Sequence, residues 1–191
     1  INIKLSDGNQ TITETATNTS GNWSVSNPLN LAAFADGLVN ITAVVTDVAG
    51  NIKSVSSKLT LDTTADADNN FATVLGNFDV VNNAESTKVS FGFDGVDTDA
   101  STINITLSAG NQTITETATN TSGIWTVNSL LNLSAFADGL VNITAMVTDT
   151  AGNTKSVSSN LTLDTNSPTL DTTEPTSYSL INDGNETGDK I

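Results

Sequence analysis

The sequence predicts an all-β protein built of tandem immunoglobulin-like antiparallel β-sandwich domains. Three observations carry that prediction. A long segment of the chain recurs almost unchanged, apolar residues alternate with period two through most of both copies, and short Gly/Asn/Asp turn signals separate the alternating runs.

The repeat sets the domain organisation. "INIKLSDGNQTITETATNTSGNWSVSN" at Ile1 returns as "INITLSAGNQTITETATNTSGIWTVNS" at Ile103. The alignment runs without gaps from 1–65 onto 103–167, with 51 of 65 positions identical. A period this long matches a whole small domain rather than a solenoid turn, so each unit is expected to fold as a bead on a string. The boundaries that follow are residues 1–62 as the C-terminal part of one repeat, 63–164 as a complete repeat, and 165–191 as the N-terminal part of a third. The first unit is expected to be incomplete unless another segment supplies the counterpart of 63–102.

The elements of the complete unit read as follows. Strands are predicted over about 71–82 and 87–93, where Val89, Phe91 and Phe93 alternate. Another covers 102–108, where Ile103, Ile105 and Leu107 alternate, and two more lie within 112–128. Val141, Ile143, Ala145 and Val147 define a strand over 140–148, and Val157, Leu161 and Leu163 one over 154–163. The stretch "LLNLSAFADG" (130–139) is the one ambiguous place, with room for a short helical turn. About seven strands in about 100 residues is the pattern of an immunoglobulin-type sandwich.

Composition narrows the function classes. The net charge of −15, with only 6 Lys+Arg, argues against nucleic acid and against anionic membrane surfaces. Such a balance suits cations or basic partners. There is no Cys, hence no disulfide or thiolate site, and no His, which removes the commonest general base and transition-metal ligand. No apolar run is long enough to span a bilayer.

The acids are placed unevenly. In an antiparallel sandwich the entering linker, the 94–101 loop and the 148–153 loop fall at one end. The linker brings Asp62, Asp66 and Asp68; the second segment Asp94, Asp97 and Asp99; the third Asp149 and Asn153. None of the three segments contains a lysine or arginine. Two like charges roughly 5 Å apart repel by about 3 kcal/mol at an effective dielectric near 20, so compensation is expected there. Hard oxygen donors without His or Cys select Ca²⁺ over Zn²⁺ or copper. The same logic places Asp164 and Asp171 at the next junction, and Asp47 with Asn51 at a preceding one. None of these is an EF-hand; Asp183-x-Asn185-x-Thr187-Gly188 fits only the start of such a loop. For any single Asp, ordinary turn chemistry is the competing explanation.

"VTDTAGNTKSVSSNLTLDTNSP" resembles the bacterial Ig-like tandem repeats of giant calcium-dependent cell-surface adhesins, the biofilm-associated and RTX-adhesin group. Three family motifs occur in order: Ala137-Asp138-Gly139, Val147 to Asn153, and Leu163 to Pro168. The first copy has Ala35-Asp36-Gly37, Val45 to Asn51 and Leu61 to Ala65, but Asp66 stands where the family usually has proline. The resemblance implies rigid, extracellular extension arms whose seams are stiffened by Ca²⁺ and whose partners are neighbouring repeats of the same chain. The calcium-binding nonapeptides of an RTX region are absent from the sequence.

Other readings compete. Paired carboxylates can hydrolyse glycosides, but acids on a repeat seam do not form a cleft, and no enzymatic activity is expected. Trp23 and Trp125, the only tryptophans, sit at equivalent positions; they are expected to be core anchors rather than platforms for a surface glycan. Asn-x-Ser/Thr sequons at Asn18, Asn40, Asn104, Asn120, Asn142 and Asn160 leave room for a glycosylated filament. The incomplete first unit would expose a strand edge that a strand from another copy could fill, as in a polymerising subunit.

Overall fold

The computed structural model describes residues 1–75, 79–127 and 129–168. Its described residues hold β-strands and turns and no helix. In the first copy the strands are β1 (Asn2–Ser6), β2 (Thr11–Thr15), β3 (Thr17–Thr19), β4 (Asn22–Ser24), β5 (Gly37–Thr46) and β6 (Ile52–Leu61). Those of the second are β7 (Ala72–Leu75), β8 (Val80–Asn82), β9 (Phe91–Asp94), β10 (Ala100–Ala109), β11 (Gln112–Thr121), β12 (Ile124–Val127), β13 (Gly139–Asp149) and β14 (Thr154–Asp164).

In the second copy the strands follow the order β7-β9-β12-β11-β10-β13-β14-β8. The long β11 serves both layers. Its first part pairs with β10 from Gln112 to Ala118, and its end pairs with β12 from Ala118 to Thr121. The sheet folds over there, so that β7 returns to face β14, where the Thr73 and Ser159 hydroxyls lie 2.9 Å apart. Between the layers lies one aliphatic core, including Ile103, Ile105, Leu107, Val141, Ile143, Val147, Leu161 and Leu163, closed by Phe71, Val81, Val89, Phe91 and Trp125. Alternation sends every second residue of β10 and β13 into this core and leaves Thr, Ser and Asn outside, Asn142 among the exposed ones.

Two expectations are corrected, and the ambiguous stretch is resolved. The predicted strand over 71–82 is two: β7 pairs antiparallel with β9, whereas β8 pairs parallel with β14. The strand expected over 87–93 is formed only from Phe91, with Val89 making an isolated bridge to Leu131. The 130–139 stretch is not helical; Phe136 N–H donates to the Leu133 carbonyl in a single 2.8 Å turn.

The first copy repeats the pairing β2-β1-β5-β6, but its β3–β4 hairpin stands as a separate sheet. Its core cluster is small: Leu5, Phe34 and Val39 are buried, with partly buried residues such as Ile3, Ile41, Leu59 and Leu61 packed against them. Trp125 is 6% exposed and its counterpart Trp23 is 50% exposed. Trp125 shares its core with Phe71, Val81, Val89 and Phe91. Among the described residues Trp125 is a core anchor, while Trp23 is half exposed.

Candidate metal centre at the seam

The linker between the copies is tied on both sides. On the first copy, Asp36 accepts from Thr63 N–H at 3.0 Å, Thr63 Oγ1 at 2.7 Å and Thr64 Oγ1 at 3.1 Å. These bonds hold the Asp36 carboxyl below its ordinary value, the Thr63 hydroxyl contributing most. Asp138 repeats the clasp on Thr165 and Asn166. On the second copy, Ala65 is buried in the core and Ala67 N–H donates to Asp97 Oδ2 at 2.9 Å.

Two carboxylate trios form where the linker meets the loops. Within each, one carboxylate oxygen from every residue lies within 4.8 Å of the others. The first joins Asp62, Asp99 and Asp149. Asp149 ends β13, where strand alternation turns it inward, and is only 2% exposed. Its Oδ1 accepts from Gly152 N–H at 2.6 Å and Asn153 N–H at 2.8 Å, closing the Asp-x-Ala-Gly-Asn turn, with Gly152 at φ 96 in the left-handed region. Asn153 Nδ2 donates to Asp149 Oδ2 at 2.8 Å and reaches across to the Asp62 carbonyl at 3.1 Å. Asp99 is brought alongside by a bulge between Ala100 and Thr102, where Ser101 Oγ donates to the Thr148 and Asp149 carbonyls, both at 2.9 Å.

The electrostatics of this trio are unequal. Burial, and then the charges of Asp149, Asp99 and Asp36, push the Asp62 carboxyl above its ordinary value, against the Thr64 N–H bond that lowers it. Burial also pushes Asp149 up, but the Asn153 amide and the turn N–H groups outweigh it, and Asp149 lies below the ordinary value. Asp99 Oδ1 is buried and has no hydrogen-bond partner. A buried carboxylate oxygen without a partner is costly unless a cation faces it. Hard oxygen donors around such an orphaned atom fit a cation of the Ca²⁺ type.

The second trio is Asp66, Asp68 and Asp97. Asp66 is buried and its Oδ1 accepts from Asn70 N–H at 3.1 Å. Asp68 Oδ2 accepts from Asn70 Nδ2 at 2.6 Å. Gly95, at φ 62, lets the 94–99 loop press onto this turn; a Cβ there would run into the Asn70 backbone carbonyl. Lys155 Nζ lies 3.7 Å from Asp66 Oδ2 and donates to Asn69 Oδ1 at 2.7 Å. No lysine was counted in the three acidic segments, yet one arrives from β14 immediately beyond them, so the expectation of an uncompensated seam is corrected for this trio.

Not every predicted ligand joins a trio. Asp94 Oδ1 accepts from Gly95 N–H at 2.9 Å and stands apart, and Asp164, the counterpart of Asp62, accepts from Asn166 N–H at 3.3 Å at the far end of the second copy. Asp47 and Asn51 form the same clip as Asp149 and Asn153, at 2.8 and 2.7 Å, but remain exposed. Asp171 and the Asp183–Gly188 loop lie outside the described residues. Sequence reasoning missed Lys155, and it gave Asp36 and Asp138 only as parts of the Ala-Asp-Gly motif without a linker-holding role. Recurrence of Asp in both copies, 27 residues before the clasped threonine, was the available signal.

The sequence model of the "Bacterial Ig-like domain" family matches residues 1–63 and 76–165. No curated protein sequence matches the chain. Among solved structures, one like it is a Ca²⁺-stabilized adhesin that helps an Antarctic bacterium reach out and bind ice, at 24% identity and TM-score 0.45, covering 86% of this chain and 40% of that one. A second is the tetra-tandem repeat in the extending region of a large adhesion protein, at 22% identity and TM-score 0.43, covering 85% and 41%. A third is a 1.5-MDa bacterial ice-binding adhesin, at 22% identity and TM-score 0.46, covering 86% and 53%. The chain thus spans about half or less of each of these structures.

Proposed function

The chain belongs to the bacterial Ig-like domain family, and from that premise we propose that it is a spacer segment of an extracellular cell-surface adhesin, stiffened at its seam by Ca²⁺. One observation carries the reading. Asp62 from the linker meets Asp99 and Asp149 from two loops of the next unit, around the buried, unpartnered Asp99 Oδ1. Asp62, Asp99 and Asp149 would hold the ion, with Asn153 fixing the orientation of two of them. Bound there, Ca²⁺ would supply the positive charge that this trio lacks, and the carboxylates would supply its oxygen ligands.

The residues of the chain do the remaining work. Asp36 holds the linker to the first unit, Ala65 and Asn153 hold it to the second, and the trio sits between. Without a cation the three like charges favour separation of linker and loops, and the units pivot. With one, their separation is fixed and the folded unit gains stability by mass action. Neighbouring repeats of the same chain are the partners in this reading, and no chemistry is assigned to the acids beyond cation binding.

Thermal melts and small-angle scattering of the chain, each in Ca²⁺ and in chelator, test the proposal. A higher Tm and a larger, narrower distribution of maximum dimension are expected in Ca²⁺. Identical melts and identical scattering in the two conditions would overturn it.

A further inference from the structure

The two trios differ in one respect that bears on how many ions the seam takes. Around Asp62, Asp99 and Asp149 no lysine or arginine pairs with a carboxylate among the described residues. Around Asp66, Asp68 and Asp97 there is one. We infer that Lys155 is the resident cation of the second trio and keeps divalent ions out of it, so that this seam takes its ion only at the first. The inference rests on the calcium reading above and concerns the ion count of the same seam.

The geometry supports the exchange of roles. The Asp66 side chain is 2% exposed, and its Oδ2 is buried without a hydrogen bond. That oxygen faces the Lys155 ammonium at 3.7 Å, so an ion drawn to the three carboxylates would meet a positive charge already in place. The ammonium is anchored there by its 2.7 Å bond to Asn69 Oδ1, with Asn69 itself in the left-handed region at φ 59. Asn tolerates that conformation, and the turn it makes aims its amide oxygen at the lysine. The two other carboxylates are already engaged, Asp97 by Ala67 N–H and Asp68 by the Asn70 amide. A second positive ion would therefore have to displace the lysine and compete with existing bonds. The lysine is 39% exposed beside an open cleft lined by Thr63, Thr64 and Ala67, so access does not exclude an ion; charge does.

Calcium titration calorimetry of the full chain tests this, with Lys155→Met and Lys155→Gln as the perturbations. Each should raise the ion count by one over wild type. Near-UV circular dichroism identifies folded variants, and the Gln variant keeps a donor for Asn69 should the Met variant misfold. Adding Asp66→Asn to Lys155→Met should remove the extra ion. An unchanged count in both folded lysine variants overturns the inference, as does loss of an ion when Asp66→Asn is made in the wild-type background. Asp149→Asn separates the two levels: it should delete one ion, and if it deletes none the calcium reading itself fails.

Discussion

The two tryptophans offer a matched experiment, because near-identical local sequence meets two environments. Trp125 lies on β12, 6% exposed, under the layer supplied by Phe71 and Phe91; Trp23 lies on β4, 50% exposed, with no such layer. Replacing a core tryptophan by alanine costs about 3–5 kcal/mol, most of it from lost burial and the cavity left behind. For a domain of about 100 residues, each kcal/mol moves Tm by about 4–8 °C, so Trp125→Ala should lower the main transition by roughly 12 °C or more. Trp23→Ala removes a side chain that keeps half its surface in water, and should cost about 1 kcal/mol or less. Circular dichroism melts give the stability side. The fluorescence side uses the Phe variants, since each leaves a single reporter. Trp23→Phe leaves Trp125, which should emit at short wavelength and resist acrylamide quenching. Trp125→Phe leaves Trp23, which should emit at longer wavelength and quench readily. Equal melting losses for the two Ala variants, or equal quenching of the two reporters, would refute the claim that Trp125 is held in a core with Phe71, Val81, Val89 and Phe91 that Trp23 does not share.

Three further outcomes are expected. Gly95→Ala forces a Cβ into the Asn70 carbonyl at φ 62 and should lower Tm by several degrees, since left-handed strain alone costs about 1–2 kcal/mol; a neutral melt would contradict the close approach. Asp36→Ala should accelerate hydrogen exchange at Thr63 N–H with little change in the exchange of β10 and β13, measured by mass spectrometry; unchanged exchange at Thr63 would show that the clasp does not hold the linker. The pH dependence has two opposed parts. Asp62 is raised in the fold, so its stabilising contribution is present when it is protonated and is lost as pH rises through its folded value; Asp36, Asp138 and Asp149 are lowered, so theirs is present above the ordinary value of 3.8 and is lost as pH falls through their folded values. Descending from neutral pH, the Ca²⁺-dependent rise in Tm should therefore fade at Asp62, above 3.8, before the calcium-free fold weakens. Paired melts from pH 3 to 7 check the order, and a calcium effect outlasting the calcium-free stability would contradict it.

The repeat, the two-residue alternation and the meeting of distant aspartates were legible because each depends on spacing within the chain. Val141 to Val147 alternate inward on β13, and β10 and β14 follow their apolar residues in the same way. The break between β7 and β8 was not legible, because Phe71 and Val81 keep the same alternation on either side of it. What divides them is a choice of partner: β8 finds the free edge of β14 and pairs with it parallel, which no local pattern encodes. The exposure of Trp23 was hidden for a related reason. A side chain's identity says which face it favours, while the segment that covers that face lies elsewhere in the chain.

Lys155 marks the boundary between what loops and what strands can tell. Counting charges loop by loop excluded it, because it follows the Asp149–Asn153 turn by two residues. Yet β14 carries Val157, Ser159, Leu161 and Leu163 inward, and one more step of two back along the strand gives Lys155. The same step forward along β13, from Ile143 through Ala145 and Val147, gives Asp149. One rule therefore turns an acid and a base toward the linker from the facing ends of two paired strands. The acid, with Asp62 and Asp99, leaves a buried oxygen without a partner, while the base comes to rest against Asp66. The unequal charge of the two trios is thus a consequence of strand register, and the ion count proposed for the seam rests on that register together with the acids of the linker.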